Sequence, residues 1–257
     1  MLKTESCLKR AAIACLGATV LAAPAVADSL TGEPVELGNG TMQIRIETDA
    51  GGAPTAIAVS LTAGALEGLP MEANPQSKGG AWQYFLPMPE GSKTGYTGVL
   101  VDWNPHGHPP ADIYSVPHFD FHFYTISRDD IEMISFTGPD DTSAVVEDKD
   151  LVAPDYQVVP DTVVDKMGVH AIDVTAPEFH GTPFAATFIY GYNKGSLIFF
   201  EPMVTRDHLL SKPAATMPVK TPARYSGPGY YPTSYDVRYI ADTDRYEVAI
   251  TGLKAWQ

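Results

Sequence analysis

Cysteine is nearly missing from this 257-residue chain: only Cys7 and Cys15 occur, both within the first 27 residues. From Asp28 onward there is none, which excludes disulfides, thiolate metal ligands, C-x-x-C redox motifs and cysteine nucleophiles. Positive charge is scarce too, with 17 Lys and Arg against 31 Asp and Glu and a formal net charge of −14. Nucleic-acid binding needs basic side chains to neutralise phosphates, so the balance excludes that partner class. Beyond the N-terminal segment no apolar run is long enough for a membrane span. The G-x-S-x-G elbow, the P-loop, the G-x-G-x-x-G fingerprint and the H-E-x-x-H helix are all absent, which removes the commonest hydrolase, nucleotide, dinucleotide and zincin signatures.

What is present begins with an export signal. Lys3, Lys9 and Arg10 form a basic start, an apolar run covers 11–21, and Ala25-Val26-Ala27 has the A-x-A form that signal peptidases cut. Residues 1–27 are therefore expected to be a signal peptide and 28–257 a single β-rich domain, secreted or periplasmic. Removing Lys3, Lys9, Arg10 and Glu5 leaves 14 basic and 30 acidic residues, a net charge of −16.

The remainder is 44% hydrophobic over the whole chain, enough for a core, while 22 glycines and 22 prolines break helix interiors. Residues 42–48 alternate apolar and polar with the period of a half-buried strand, and 55–62 can return beside them after the turn 49–54. Further strands are expected over 96–103, 117–127, 131–136, 168–175, 184–192 and 196–203. A tight turn at Asn193-Lys194-Gly195 joins two of them. Residues 204–211 read as a short helix, and 234–240 with 245–253 as a closing hairpin. The acidic stretch 137–166, with Asp140, Asp141, Glu147, Asp148, Asp150, Asp155, Asp161 and Asp165, lacks the EF-hand spacing and reads as a solvated loop. The expected fold is all-β and mainly antiparallel. It is a single barrel-like or sandwich domain with long Gly/Pro-rich loops and at most one or two short helices.

The chemistry concentrates in histidine. Four of the seven histidines fall between 106 and 122. In Pro117-His-Phe-Asp-Phe-His-Phe-Tyr124 a strand would send Phe119, Phe121 and Phe123 to the core and His118, Asp120 and His122 to the opposite face. Imidazole with carboxylate suits Zn, Mn, Fe, Ni or Cu, and a neighbouring acid can orient a ligating histidine. His118 and His122 are nevertheless about 13 Å apart on a regular strand, so sharing one ion requires a bulge or sharp coiling. His108, in a proline-braced loop, is a further contributor. His170 and Glu201 lie in apolar strands, where an unpaired ionised carboxylate would be very costly. The candidate metal ligands are thus His108, His118, His122, His170 and Glu201, expected to converge on one pocket; His106, His180 and His208 are peripheral.

The ordered pieces Trp103-Asn-Pro-His-Gly-His108, the 117–124 block, Met167-Gly-Val-His170, Phe188-Ile-Tyr-Gly191, Glu201-Pro-Met203 and Tyr231-Pro-Thr-Ser-Tyr235 resemble a family of secreted prokaryotic proteins built on a domain of unknown function. The resemblance spans roughly 37–253 and supports grouping the same five residues without implying an activity. In that family an acidic residue often follows Gly-His, where this chain has Pro109.

Two functions follow. One is a metal-binding β protein with a His/Glu-lined pocket open to a small molecule, similar in concept to cupins. Cupins use H-x-H with a downstream Glu and His, where this chain has H-x-D-x-H. The other is a noncatalytic secreted ligand-binding or assembly protein, oligomeric through its loops, whose His-Asp-His row is structural; the 13 tyrosines suit surface recognition or strand packing.

Overall fold

A computed structural model describes residues 29–135 and 145–257. The expected signal peptide and the acids Asp140 and Asp141 lie outside the described residues. The chain opens with β1 (Ser29–Thr31), β2 (Val35–Leu37), β3 (Gly40–Thr48) and β4 (Pro54–Thr62). It continues through β5 (Trp82–Pro87), β6 (Gly98–Asn104), β7 (His118–Tyr124), helix α1 (Arg128–Met133), β8 (Tyr156–Val164) and β9 (Gly168–Asp173). The hairpin β10 (Ala186–Asn193) and β11 (Ser196–Thr205) runs into helix α2 (Arg206–Leu210). The remaining strands are β12 (Ala214–Pro218), β13 (Gly229–Tyr231), β14 (Ser234–Ile240), β15 (Arg245–Thr251) and β16 (Lys254–Trp256).

These make two seven-stranded antiparallel sheets and a small β13–β16 pair. The first sheet has the order β1-β3-β4-β15-β14-β12, with β2 also on β3; the second runs β5-β6-β7-β11-β10-β9-β8. The sheets pack as a sandwich and are not closed into a barrel. Along β3, Met42, Ile44 and Ile46 are buried while Gln43, Arg45 and Glu47 face outward, the period-2 pattern of a strand packed on one face. They meet Val99, Val101, Phe119, Phe121, Phe123, Phe200 and Val204 of the second sheet in one continuous core. The β10–β11 turn carries Lys194 and Gly195 at φ 50° and 76°, the two positive dihedrals that a two-residue hairpin favours.

Three expectations need correction. The strand expected over 131–136 does not form: residues 131–133 belong to α1, Ile134 is its C-terminal cap, and Ser135 lies just beyond. Ser127 caps the helix, accepting from the Asp130 amide at 3.1 Å while its hydroxyl donates to the Asp130 carboxylate at 2.6 Å. That reciprocal cap overrides the local apolar run, and Ile131 and Ile134, three apart, bury on one side. The acidic stretch contains β8, whose Pro160 is tolerated because β8 is the sheet's edge. Three of its acids pair with cations: Asp148 with Arg224, Asp155 with Lys220 and Asp165 with Lys78. The helix expected over 204–211 starts two residues later, because Val204 and Thr205 still belong to β11 and the Thr205 hydroxyl caps α2.

Candidate metal centre

The candidate site lies on the face of the second sheet turned away from the sandwich core. On β7 the three phenylalanines enter the core, and His118, Asp120 and His122 occupy the other face, where they are buried nonetheless. Two small apolar clusters bracket the row. Tyr114, Ile189 and Met203, with Phe179 and Phe184 packed on them, cover one end. Leu100, Tyr124, Ile131, Ile134, Met167 and Phe199 cover the other.

The second sheet's register assembles the rest. The Phe200–Phe123 and Met203–Asp120 pairs bracket Glu201 opposite His122. The β7–β11 pairing is interrupted there, because Pro202 has no N–H to donate. His170 arrives from β9, opposite Gly191 on β10, which is itself opposite Phe199. The Phe199 ring lies on Gly191, where a Cβ would meet it at 1.9 Å, and its centroid is 5.0 Å from His122 and 5.5 Å from His170. A glycine at 191 is what lets that ring brace both imidazoles.

The histidines thereby form two groups. In the first, His122 Nε2 stands 3.4 Å from Glu201 Oε1 and His170 Nε2 3.8 Å from Glu201 Oε2. The His122 Nδ1–H donates to the Leu100 carbonyl at 3.1 Å, which leaves Nε2 as a bare acceptor facing a carboxylate oxygen. In the second, His118 Nε2 is 3.1 Å from Asp120 Oδ1 and His108 Nε2 is 3.3 Å from Asp120 Oδ2. Both Nδ1–H groups donate at 2.7 Å to carbonyls, of Val116 for His118 and of Pro109 for His108. Asn104 steadies Asp120 by donating to Oδ2 at 2.7 Å. Within each triad, His108–His118–Asp120 and His122–His170–Glu201, the potential donor atoms lie within 4.8 Å of one another, so either could hold a metal ion.

The five candidates thus share one face but not one cluster. The strand spacing explains the division: His118 and His122 are four residues apart on a β7 whose pairing with β6 is regular throughout, so no bulge shortens their span. Asp120, expected as ligand or orienter, completes the first-named triad. Asp102 was missed. It sits on β6 directly opposite Asp120, 2% exposed, with its carboxylate held by Gln83 at 3.2 and 3.3 Å. An acid in the apolar run Gly98-Val-Leu-Val-Asp102 carried the signal that singled out Glu201. His106 is exposed, and His180 contacts the Val174 carbonyl away from the site.

The electrostatics follow from three buried acids on one face. Burial, then repulsion from Asp120, pushes Asp102 up to about 8. Burial, then Asp120 and Asp102, raises Glu201 well above its ordinary value. Burial lowers His122 to about 4. Burial opposes charge on Asp120 as well, but attraction to His118 and His108 outweighs it and holds the carboxyl well below its usual range. His108, despite burial, is raised to about 9, chiefly by Asp120.

No protein-family model, no curated protein and no solved structure matches the chain. Among the described residues no helix is long and apolar enough to cross a membrane.

Proposed function

We propose that this is an exported metal-binding protein that holds a divalent transition ion through His122, His170 and Glu201. The observation that carries the reading is the Nδ1 bond of His122 to Leu100, which aims a lone pair at a buried carboxylate. Two acceptors in contact, with Glu201 Oε2 also lacking a hydrogen bond, need either a proton or a cation between them. A cation satisfies all three atoms at once. Two imidazoles and one carboxylate are the ligand set of open zinc and non-haem iron centres, and leave coordination positions for water or a small molecule. The ion would act there as a Lewis acid or activate bound water. Export is supported by the Ala25-Val26-Ala27 segment and by the absence of cysteine after it.

Metal analysis of protein purified without an affinity tag tests this, together with Glu201→Gln. In chelator the variant should melt no lower than the wild type near neutral pH, since it removes an acid that is costly to ionise. It should also lose most of the rise in melting temperature that Zn²⁺ gives the wild type. Wild-type protein without metal, whose melting no divalent ion moves, would favour the noncatalytic reading. That reading draws on Asp120, which already accepts from Asn104 and faces two imidazoles.

A further inference from the structure

We propose that the same face holds a second ion, at His108, His118 and Asp120, and that this ion exchanges with solvent faster than the first. The inference rests on the reading of the row as a metal centre, and concerns atoms that the first ion leaves untouched.

Like its neighbour, the triad sets two imidazole Nε2 atoms against the two oxygens of one carboxylate. Each of its imidazoles is locked by an Nδ1–H bond to a backbone carbonyl, and each presents Nε2 to a different oxygen of one carboxylate. This outer-contact pattern, ring N–H to carbonyl with the other nitrogen free to ligate, is that of metal-binding histidines. His118 Nε2 and Asp120 Oδ1 are buried and 3.1 Å apart, yet neither makes a hydrogen bond. The two atoms are close enough to interact but lack hydrogen-bond geometry, so each is left with an unused polar valence. Donors about 2.1 Å from one ion are up to about 4.2 Å apart, so the 4.8 Å limit within each triad is close to what a bound ion requires.

One ion cannot serve both triads. His118 belongs to one triad and His122 to the other, and they stand four residues apart on a regular β7, about 13 Å along the strand, too far for both to reach within about 2.1 Å of one ion. The buried acids also call for two. The ion-pair partners of Asp120 and Glu201 within 4.0 Å are imidazoles alone among the described residues. A single ion at Glu201 would leave Asp120 Oδ1 orphaned.

The difference in exchange follows from exposure. The side chains of His122 and Glu201 are 1% and 3% exposed, whereas His108 is 30% exposed and comes from the loop between β6 and β7. Movement of that loop opens the second site without disturbing the sheet. The first site's ligands all come from strands.

The test is Co²⁺ stoichiometry and chelator release, followed by absorbance, on the full exported chain. The wild type should hold two ions per chain and release them in a fast and a slow phase. His108→Ala, a loop substitution that spares the core, should leave one ion and only the slow phase. Asp120→Asn should agree with it, and His170→Ala should leave only the fast phase. One ion per chain, unaffected by His108→Ala, would overturn the second site while leaving the first. Loss of all metal in His108→Ala would show one shared centre. No metal in any of them would remove both readings.

Discussion

Replacing Asp102 by asparagine should stabilise the metal-free protein at pH 8 and do little near pH 4. Asp102 is 2% exposed, faces Asp120 across the β6–β7 pair, and has its carboxyl raised from 3.8 to about 8. A shift of about four pH units, at about 1.4 kcal/mol each, caps the cost of ionising it in the fold near 6 kcal/mol. The sign follows from proton counting. Between about pH 4 and 8 the folded chain keeps a proton that the unfolded chain has released. Stability from this group is therefore complete below the unfolded value and is lost as pH rises through the folded one. Asparagine has the same shape, can still accept from Gln83, and carries no charge at any pH.

Residual compactness in the unfolded state and relaxation around the site reduce the ceiling, so a gain of about 2–4 kcal/mol at pH 8 is expected. With a urea slope of about 2–3 kcal/mol per M, that moves the unfolding midpoint up by about 1 M. The assay is urea unfolding in the presence of chelator, at half-unit steps from pH 4 to 8.5. The wild-type curve should fall away from the Asp102→Asn curve as pH rises, and bound metal should narrow the gap by supplying positive charge. An offset that is constant with pH, or a variant less stable at pH 8, would refute the reasoning.

Gly191→Ala should destabilise by about 1–3 kcal/mol in urea and weaken metal binding at His170, because its Cβ would collide with the Phe199 ring that braces His122 and His170; unchanged stability and affinity would count against that bracing role. Metal binding at the His108 triad should release a proton at pH 7, since His108 titrates at about 9 and must be neutral to ligate. Affinity there should rise with pH up to about 9, whereas His122, at about 4, is already neutral; calorimetry in buffers of different ionisation heat checks both.

Much of the architecture was legible because β patterning is local. The alternation in 42–48 and 117–124 reports which side chains enter the core whatever their strands pair with. Pairing partners are a different matter. Nothing in Met167-Gly-Val-His170 states that β9 lies three places from β7, with β10 and β11 between them. How the five residues divide into groups was therefore underdetermined, although the strand rise already argued against one ion for His118 and His122. Helix α1 is hard to read from sequence because its apolar residues suit either period, and it is the Ser127–Asp130 cap that decides between them. Strand β8 was hidden by Pro160 and by surrounding acids, both acceptable on an edge strand.

The features that resist ordinary strand logic gather in one region of the second sheet. A glutamate stands in an apolar central strand, a proline beside it interrupts that strand's ladder, and two aspartates oppose each other across β6 and β7. Each is unfavourable alone: like charges directly opposite repel, and a central proline forfeits a hydrogen bond. The first sheet shows the contrast. Its buried Glu247 meets Arg45 at 2.6 Å and Arg238 at 3.8 Å, so that acid is balanced by the chain's own cations. Glu201 has only imidazoles, and His122, lowered to about 4, presents a bare Nε2 that attracts a cation rather than supplying one; Asp120 is balanced by His108 only while that imidazole keeps its proton. Unfavourable choices concentrated where the chain withholds its own positive charge are the arrangement expected when that charge comes from outside.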